Sequence, residues 1–366
     1  VKGVLTGVWS PASATSYAPD VLGRITASTQ TTDGVAYGFG YQYNVDGSLK
    51  TLTYPSGRTV TYSFDQAGRV SAVAGYASSV AYAPQGAIAQ VALANGVVET
   101  WTYNERLQAQ TVTAAKGGTL LGLTYGYGTG NNNGNVLSQT INAAGLASFT
   151  ESYRYDDVNR LDLVQETASG AASGNWSAAF GYGPYGNRWV SGASFPLNLA
   201  TPVAQSQYNE ANNRLAKMSY NQPLPADAYD GAGNLWNHPY VGQMSYDWDN
   251  RLVQFVKTGS VVDLAYDGEG RRVKKVAGGV TTVYAYDAQG NLAAEYASQV
   301  PPALCARCFL TADALGSTRL VTDENGAVKQ RRDYLPFGEE ILANSSFGNR
   351  QVVRDGVYHE RPRSVG

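Results

Sequence analysis

Short runs in which apolar and polar residues alternate occur along the whole chain. Within residues 151–166, Tyr153 and Tyr155 alternate with polar neighbours, Asp-Asp-Val-Asn follows, and Leu161 and Leu163 then alternate again. Alternation with a period of two predicts a strand, and the polar interruption predicts a turn. The segment is therefore predicted to form a β-hairpin rather than an amphipathic helix.

The same pattern recurs along the chain, with most neighbouring copies about 20 residues apart, a spacing typical of stacked supersecondary units. Clear copies begin at Tyr41, Tyr62, Tyr153, Ala228, Met244, Leu264 and Tyr284. Weaker copies begin at Tyr82, Trp101 and Ser206. An ordinary β-sandwich would not be expected to share one turn formula or one spacing, so we interpret the chain as a repeat protein.

Most of the clear copies share a turn formula, Tyr-Asp followed three residues later by Gly or Asn. The aspartate carboxylate is expected to accept backbone N–H bonds inside the turn. Glycine and asparagine exchange at the last turn position, as expected if that position requires a positive φ angle. The residues at this position include Gly68, Gly233, Gly270, Gly290, Asn159, Asn213 and Asn250.

These observations predict an all-β fold. A single hairpin is barely stable in water, so the hairpins must add to one another edge to edge. The stacked hairpins are expected to form a long twisted antiparallel sheet that curls into a spiral, barrel or partial shell. The 26 tyrosines and 41 glycines suit half-buried strands and many tight turns.

Charge and hydropathy exclude some classes of function. The 27 basic and 29 acidic residues nearly balance, so we expect no binding to nucleic acid. No apolar run reaches about 18 residues, so no membrane span is predicted. No signal peptide is visible, and the chain opens with a strand-like segment; a fragment is as plausible as a full-length product.

Few residues offer chemistry. His238 and His359 are the only histidines, too few and too dispersed for a His-rich metal site, and His238 is expected to be a turn residue. Cys305 and Cys308 lack the βαβ setting of a redox motif and the further ligands of a zinc site. They are a candidate disulfide or two structural thiols. We predict no catalytic residue, no cofactor and no metal, so the chain is not expected to be an enzyme.

The repeat units resemble the YD repeats of the rearrangement-hotspot (RHS) and YD-repeat family, which includes Tc-toxin shell components and teneurins. The resemblance extends from about residue 17 to 340. Residues 312–340 look like the start of the RHS-associated core, which in the family includes D-x-L-G-S/T-x-R and Y-x-P-F-G. The matching positions are Asp313, Leu315, Gly316, Ser317, Arg319, Thr322, Asp323, Gly326, Tyr334, Pro336, Phe337 and Gly338.

The sequence departs from the family pattern after residue 340. Family cores continue through a Gly- and Tyr-rich segment to an Asp-Pro-x-Gly-Leu motif, where some members cut themselves and release a toxin. This chain contains no Asp-Pro dipeptide. The resemblance therefore predicts a YD-repeat β-strip over 1–310, the start of an RHS-associated core over 311–340, and a flexible or truncated tail over 341–366.

The resemblance implies a non-catalytic structural protein, a wall of a shell that encloses or presents a cargo. The alternatives are a cell-surface adhesion or carbohydrate-binding protein and a fibre or ring that assembles through open strand edges. The expected partners are missing flanking parts of the same polypeptide, other copies of the chain, a toxin cargo or a surface glycan. The expected location is extracellular, secreted or on the cell surface of a bacterium.

Overall fold

The computed structural model describes residues 3–145, 148–168, 176–198, 200–218, 222–299 and 305–341. Within these residues the secondary structure is 29 strands and one short 3-10 turn at Gln205–Gln207, with no α-helix. All the strand pairs are antiparallel. The predicted all-β fold of stacked hairpins is therefore confirmed.

The strands fall into four sheets. The first sheet contains β1 (Gly7–Trp9), β2 (Ser13–Pro19), β3 (Ile25–Thr32), β4 (Val35–Tyr43), β5 (Leu49–Thr53), β6 (Thr59–Phe64), β7 (Val70–Val73), β8 (Ala77–Tyr82), β9 (Ile88–Leu93), β10 (Val98–Tyr103), β11 (Ala109–Ala115), β12 (Thr119–Gly126), β13 (Ser138–Ala143), β14 (Phe149–Tyr155), β15 (Leu161–Ala168), β16 (Ser177–Tyr182) and β17 (Arg188–Ala193). The second contains β18 (Tyr208–Asn209) and β19 (Arg214–Leu215). The third contains β20 (Asn237–His238), β21 (Gly242–Tyr246), β22 (Leu252–Lys257), β23 (Ser260–Tyr266), β24 (Arg272–Ala277), β25 (Val280–Tyr286) and β26 (Leu292–Ala297). The fourth contains β27 (Phe309–Ala312), β28 (Thr318–Thr322) and β29 (Val328–Arg331).

A bulge adjoins the repeat turn in many hairpins. In the β14–β15 hairpin, Arg154 lies opposite Leu163 and Tyr155 lies opposite Leu161, so one residue of β15 is skipped. The turn itself closes through the N–H of Asn159 and the carbonyl of Asp156, 2.9 Å apart. A type I turn followed by a residue in the left-handed region and a bulge is a common way to join two antiparallel strands.

The last turn position has positive φ in every copy named above. The asparagines have φ angles of 64° at Asn159, 59° at Asn213 and 59° at Asn250. The glycines have φ angles of 76° at Gly68, 94° at Gly233, 80° at Gly270 and 81° at Gly290. The prediction that Gly and Asn exchange because this position needs left-handed backbone is confirmed.

The turn aspartate organises its own hairpin. Asp156 Oδ1 accepts the backbone N–H groups of Val158 at 3.1 Å and Arg160 at 2.8 Å. The Nε of Arg160 donates to the other carboxylate oxygen at 2.7 Å. Because the carboxylate satisfies turn N–H groups that strands leave unpaired, the aspartate favours this turn over other backbone conformations. The same arrangement occurs at Asp20 with Arg24, Asp65 with Arg69, Asp247 with Arg251 and Asp267 with Arg271.

Gly270→Val is expected to lower the free energy of unfolding by about 1–3 kcal/mol, because valine is strained at a positive φ angle. Glu269→Val in the same turn removes only a surface ion pair with Arg271 and is expected to lower it by less than about 1 kcal/mol. Urea unfolding of the two variants measures the difference. Equal midpoints would contradict the turn assignment.

Neighbouring repeats are joined by a tyrosine and an arginine. The hydroxyl of Tyr182 donates to the carbonyl of Leu161 in the preceding hairpin at 2.7 Å. The guanidinium carbon of Arg160 lies 4.7 Å from the centroid of the Tyr182 ring, so this arginine closes its own turn and also covers the next repeat's ring. Equivalent hydroxyl-to-carbonyl bonds come from Tyr43, Tyr103, Tyr127, Tyr155, Tyr208, Tyr246, Tyr266, Tyr286 and Tyr334.

Tyr182→Phe is expected to lower the free energy of unfolding by about 0.5–1.5 kcal/mol, since it removes one hydroxyl bond and leaves a carbonyl without that partner. Tyr185→Phe is the matched control, because Tyr185 lies three residues further on at a turn tip and is 74% exposed. The control is expected to change stability by less than about 0.5 kcal/mol. Denaturant melts that rank the two variants in the opposite order would contradict the role of the hydroxyl.

The described residues fall into two compact units. Unit 1 contains those within 1–80 and 227–304, and unit 2 contains those within 81–226 and 305–354. The division at residues 310 and 340, drawn from the family motif, stays a prediction.

In unit 1 the third sheet contacts the first strands of the chain. Gln30 on β3 donates from Nε2 to the carbonyl of Tyr284 at 2.9 Å and accepts from the N–H of Tyr286 at 3.2 Å. The hydroxyl of Ser10 donates to the carbonyl of Tyr266 at 2.9 Å. These bonds fix β23 and β25 against a much earlier part of the chain.

In unit 2 the three-stranded β27–β29 sheet packs on strands of the first sheet. Leu320 on β28 is 1% exposed and belongs to a buried cluster formed by residues of β11–β14 and by Val97, which precedes β10. The other buried members are Val97, Val112, Ala114, Leu121, Leu123, Tyr125, Ile141 and Phe149. This packing places β28, which carries the buried motif residues Arg319 and Thr322, against the buried face of the first sheet.

Candidate functional site

The first motif turn repeats the hairpin geometry of the strip. Asp313 Oδ1 accepts the N–H groups of Leu315 at 3.0 Å and Ser317 at 2.9 Å, and Gly316 has a φ angle of 84°. The N–H of Ala314 donates to the hydroxyl of Tyr125 on β12 at 3.2 Å. Leu315 itself is exposed at the tip of the turn. The motif residues Asp313, Gly316 and Ser317 therefore shape this turn.

The second motif turn is fixed to an earlier turn of the same unit. Asp323 Oδ1 accepts the N–H of Ala327 at 2.9 Å, and Gly326 has a φ angle of 75°. Asn95, at the β9–β10 turn, donates from Nδ2 to the hydroxyl of Thr322 at 2.9 Å and to the carbonyl of Asp323 at 2.8 Å. A buried amide thus satisfies two acceptors of the motif segment.

The third motif turn lacks the aspartate. Leu335 takes its place, and the N–H of Leu335 donates to the carbonyl of Glu339 at 2.7 Å. Pro336 occupies the second turn position, where its fixed φ angle is favourable. Gly338 closes the turn with a φ angle of 93°.

Aromatic side chains fix this third turn to β16 and β17. The ring of Phe337 meets the ring of Phe180 edge to face at 4.9 Å, and the guanidinium carbon of Arg188 lies 3.4 Å from the Phe337 centroid. The hydroxyl of Tyr334 donates to the carbonyl of Thr318 at 3.0 Å. The segment therefore contacts both its own sheet and the first sheet.

A buried charge cluster lies beneath the motif segment, and Arg319 is at its centre. Nη2 of Arg319 is 2.8 Å from Asp333 Oδ1, and Nη1 is 3.5 Å from Asp313 Oδ2. Nη2 of Arg331 is 2.9 Å from Asp333 Oδ2. All four side chains are at least nine-tenths buried.

Three polar residues of the first sheet form a row that faces this cluster. Gln139 on β13 lies directly opposite Glu151 on β14, and Glu151 lies directly opposite Glu166 on β15. All three are buried. The hydroxyl of Tyr153 donates to Glu151 and to the amide oxygen of Gln139. Two carboxylates directly opposite each other on neighbouring strands repel when both are ionised.

A third buried glutamate lies further along the same contact. Glu99 on β10 is 6% exposed and accepts a hydrogen bond from the side chain of Thr311 on β27. Its Oε1 has no hydrogen-bond partner among the described residues. The β27–β29 sheet thus covers one carboxyl group at each end of its contact with the first sheet.

Burial controls the ionisation of these groups. Burial raises the pKa of Glu99 to about 7 and that of Glu151 to about 7, since a charged carboxylate loses its hydration there. The Tyr153 hydroxyl and Arg319 partly offset this increase at Glu151. Burial lowers the pKa of Arg319, but Asp333, Glu151 and Asp313 raise it by more.

The remaining candidates among the described residues form no second site. The buried His238 accepts the N–H groups of Tyr240 and Val241 at Nδ1, which is the geometry of a turn residue, and burial lowers its pKa. Cys305 and Cys308 are bonded as a disulfide with their Cα atoms 5.4 Å apart. His359 lies outside the described residues.

The described residues offer neither a metal cluster nor a spanning helix. No group of three or more His, Cys, Asp or Glu side chains among them is arranged to hold a metal ion. No helix in the described part of the chain is long and apolar enough to cross a membrane.

The buried glutamates were not predicted. The acidic residues that the sequence singled out were the turn aspartates, whereas the structure buries glutamates within strands. A signal for them exists. Glu151 occupies the same strand face as Phe149, and Glu166 the same face as Val164, so each is a carboxylate within an otherwise apolar inward series.

Comparison with known proteins agrees with this fold. The RHS Repeat family model matches residues 43–78. The crystal structure of TcdB2-TccC3 without its hypervariable C-terminal region has a TM-score of 0.60 at 13% identity, covering 92% of this chain and 20% of that one. A Photorhabdus luminescens Tc holotoxin pore structure has a TM-score of 0.56 at 14% identity, covering 90% and 20%. No curated protein matches the chain.

The hairpin turns, the bonds between repeats and the four antiparallel sheets define a β-hairpin repeat protein. The RHS Repeat model accounts for residues 43–78, and over about nine-tenths of the chain the fold is similar to those of the TcdB2-TccC3 and Tc holotoxin structures. The chain spans about a fifth of the length of the solved chains that it matches.

Proposed function

We propose that the chain is a section of the wall of an RHS/YD shell that encloses or presents a cargo. The observation that carries the proposal is the similarity to the TcdB2-TccC3 fold over 92% of the chain. Five hairpins close their own turn through an Asp–Arg pair, and ten tyrosine hydroxyls bond to a carbonyl of the preceding hairpin. A wall needs such connections at every repeat, because each repeat contacts only its neighbours.

The proposed wall is not catalytic. The residues that sequence analysis singled out have structural contacts: Asp313 and Asp323 shape turns, and Arg319 pairs with carboxylates. We propose that the partners are flanking parts of the same polypeptide, other copies or a toxin cargo. We also propose that the protein is secreted or cell-surface bound in a bacterium.

Electron cryomicroscopy of the complete chain tests the wall. A sheet with a concave, polar inner face is expected. Protease digestion adds a second measurement, with a disordered reporter peptide fused after Gly366 and, as the matched control, the same peptide fused before Val1. A reporter that the wall encloses is cut more slowly than one outside it. Equal cleavage of both, with a flat two-faced sheet in the map, would contradict the proposal.

A carbohydrate-binding role has one observation in its favour, the exposure of two tryptophans. Trp9 and Trp248 are 78% and 103% exposed, and aromatic faces stack on sugars. Trp9 lies on β1, whereas Trp248 lies in the turn after β21. Glycan-array binding that is lost in Trp248→Ala would favour this role, and fibres or rings in micrographs would favour self-assembly through strand edges.

A further inference from the structure

Two buried glutamates mark the contact between the β27–β29 sheet and the first sheet. Thr311 on β27 bonds to Glu99, and Arg319 on β28 lies close enough to Glu151 to affect its ionisation. Both glutamates are nearly inaccessible to water. Their charge therefore depends on the groups that the two sheets bring together.

The surroundings of Glu99 contain no ion-pair partner among the described residues. On its two neighbouring strands, Val91 and Ala114 lie directly opposite. Thr311 is the group that contacts it from the β27–β29 sheet. An ionised Glu99 would thus be stabilised in the closed contact by one hydroxyl, which is far less than water provides.

The surroundings of Glu151 contain a cation that is already shared. Arg319 faces it from β28, but Arg319 also pairs with Asp333 and Asp313. Glu166 lies directly opposite on β15, while the uncharged neighbours are Gln139 and Tyr153. Ionised Glu151 would therefore be a third carboxylate beside the guanidinium of Arg319. Ionisation of Glu151 adds a negative charge that Arg319 must share with Asp313 and Asp333.

We propose that this contact is a proton-controlled latch, closed while Glu99 and Glu151 carry protons and loosened when they ionise. A protonated carboxyl donates one hydrogen bond and carries no charge, so it is tolerated beneath the β27–β29 sheet. An ionised carboxylate without its own cation needs water. Water reaches both positions when β27–β29 separates from β10–β15.

The pH range follows from the raised pKa values. A carboxyl group whose folded pKa lies above its unfolded value stabilises the closed contact fully below the unfolded pKa and loses that contribution as pH rises through the folded pKa. For Glu99 and Glu151 this stabilising contribution is lost as the pH rises from 4.5 to about 7. A pKa raised from 4.5 to about 7 changes the closing equilibrium by about 300-fold per group.

Hydrogen exchange of the complete chain at pH 5, 6, 7 and 8 tests the latch, after correction for the intrinsic pH dependence of exchange. After that correction, the backbone amides of β27–β29 are expected to exchange at least ~10-fold faster at pH 8 than at pH 5. Glu99→Gln and Glu151→Gln mimic the protonated groups, and each is expected to reduce this ratio. Glu105→Gln is the matched control, since Glu105 is exposed at a turn of the same unit.

Equal protection of β27–β29 at pH 5 and pH 8 in the unmodified chain would overturn the latch, whether or not the variants fold. An unchanged pH ratio in both folded glutamine variants would overturn it as well. The latch is independent of the wall proposal. A chain with a concave wall and no pH response would retain the wall and lose the latch.

Discussion

Arg319→Met is expected to lower the free energy of unfolding by about 3–5 kcal/mol, the range for breaking a buried charge pair from one side. Methionine has a similar length but no charge. It leaves the carboxylates of Asp333 and Asp313 buried without the guanidinium that lies 2.8 Å and 3.5 Å from them. Urea unfolding followed by tyrosine and tryptophan fluorescence measures the change.

Arg154→Met is the matched control in the same unit. Arg154 pairs with Asp162 at 2.9 Å, but its side chain is 65% exposed, so its loss is expected to lower stability by less than about 1 kcal/mol. Equal effects of Arg319→Met and Arg154→Met would contradict a buried cluster.

The hairpins were predictable because their determinants are local. Asp156 and Asn159 are three residues apart, and the turn that they form depends on side-chain bonds to nearby N–H groups and on the tolerance of asparagine for positive φ. Because these rules act within a few residues, they hold wherever the hairpin lies in the fold. The same reasoning gave the alternation of strands and the all-β class.

The buried charge cluster was not predictable in the same way. Arg319 was identified as a motif residue, but its partner Asp333 was not, and Glu151 lies far from both in the sequence. Their proximity depends on where the β27–β29 sheet packs. A motif match marks positions that resemble a family and does not separate a buried ion-pair residue such as Arg319 from an exposed one such as Leu315.

The packing of β27–β29 on the first sheet leads to the second large expected effect. Leu320→Ala should lower the free energy of unfolding by about 2–5 kcal/mol, since it removes a buried side chain and leaves a cavity. Leu320 is 1% exposed and contacts the apolar cluster that contains Leu123 and Ile141. The rigid neighbouring strands can only partly collapse into the space.

Leu310→Ala is the matched control for this change. Leu310 lies on the adjacent strand β27 of the same small sheet but is 43% exposed, so the same truncation there removes less buried apolar surface and is expected to cost under about 1.5 kcal/mol. Urea unfolding of both variants measures the contrast. If Leu310→Ala were as destabilising as Leu320→Ala, the opposite face of β27–β29 would be the one that packs on the first sheet. The assigned burial of Glu99 and Glu151 beneath this sheet would then be wrong as well.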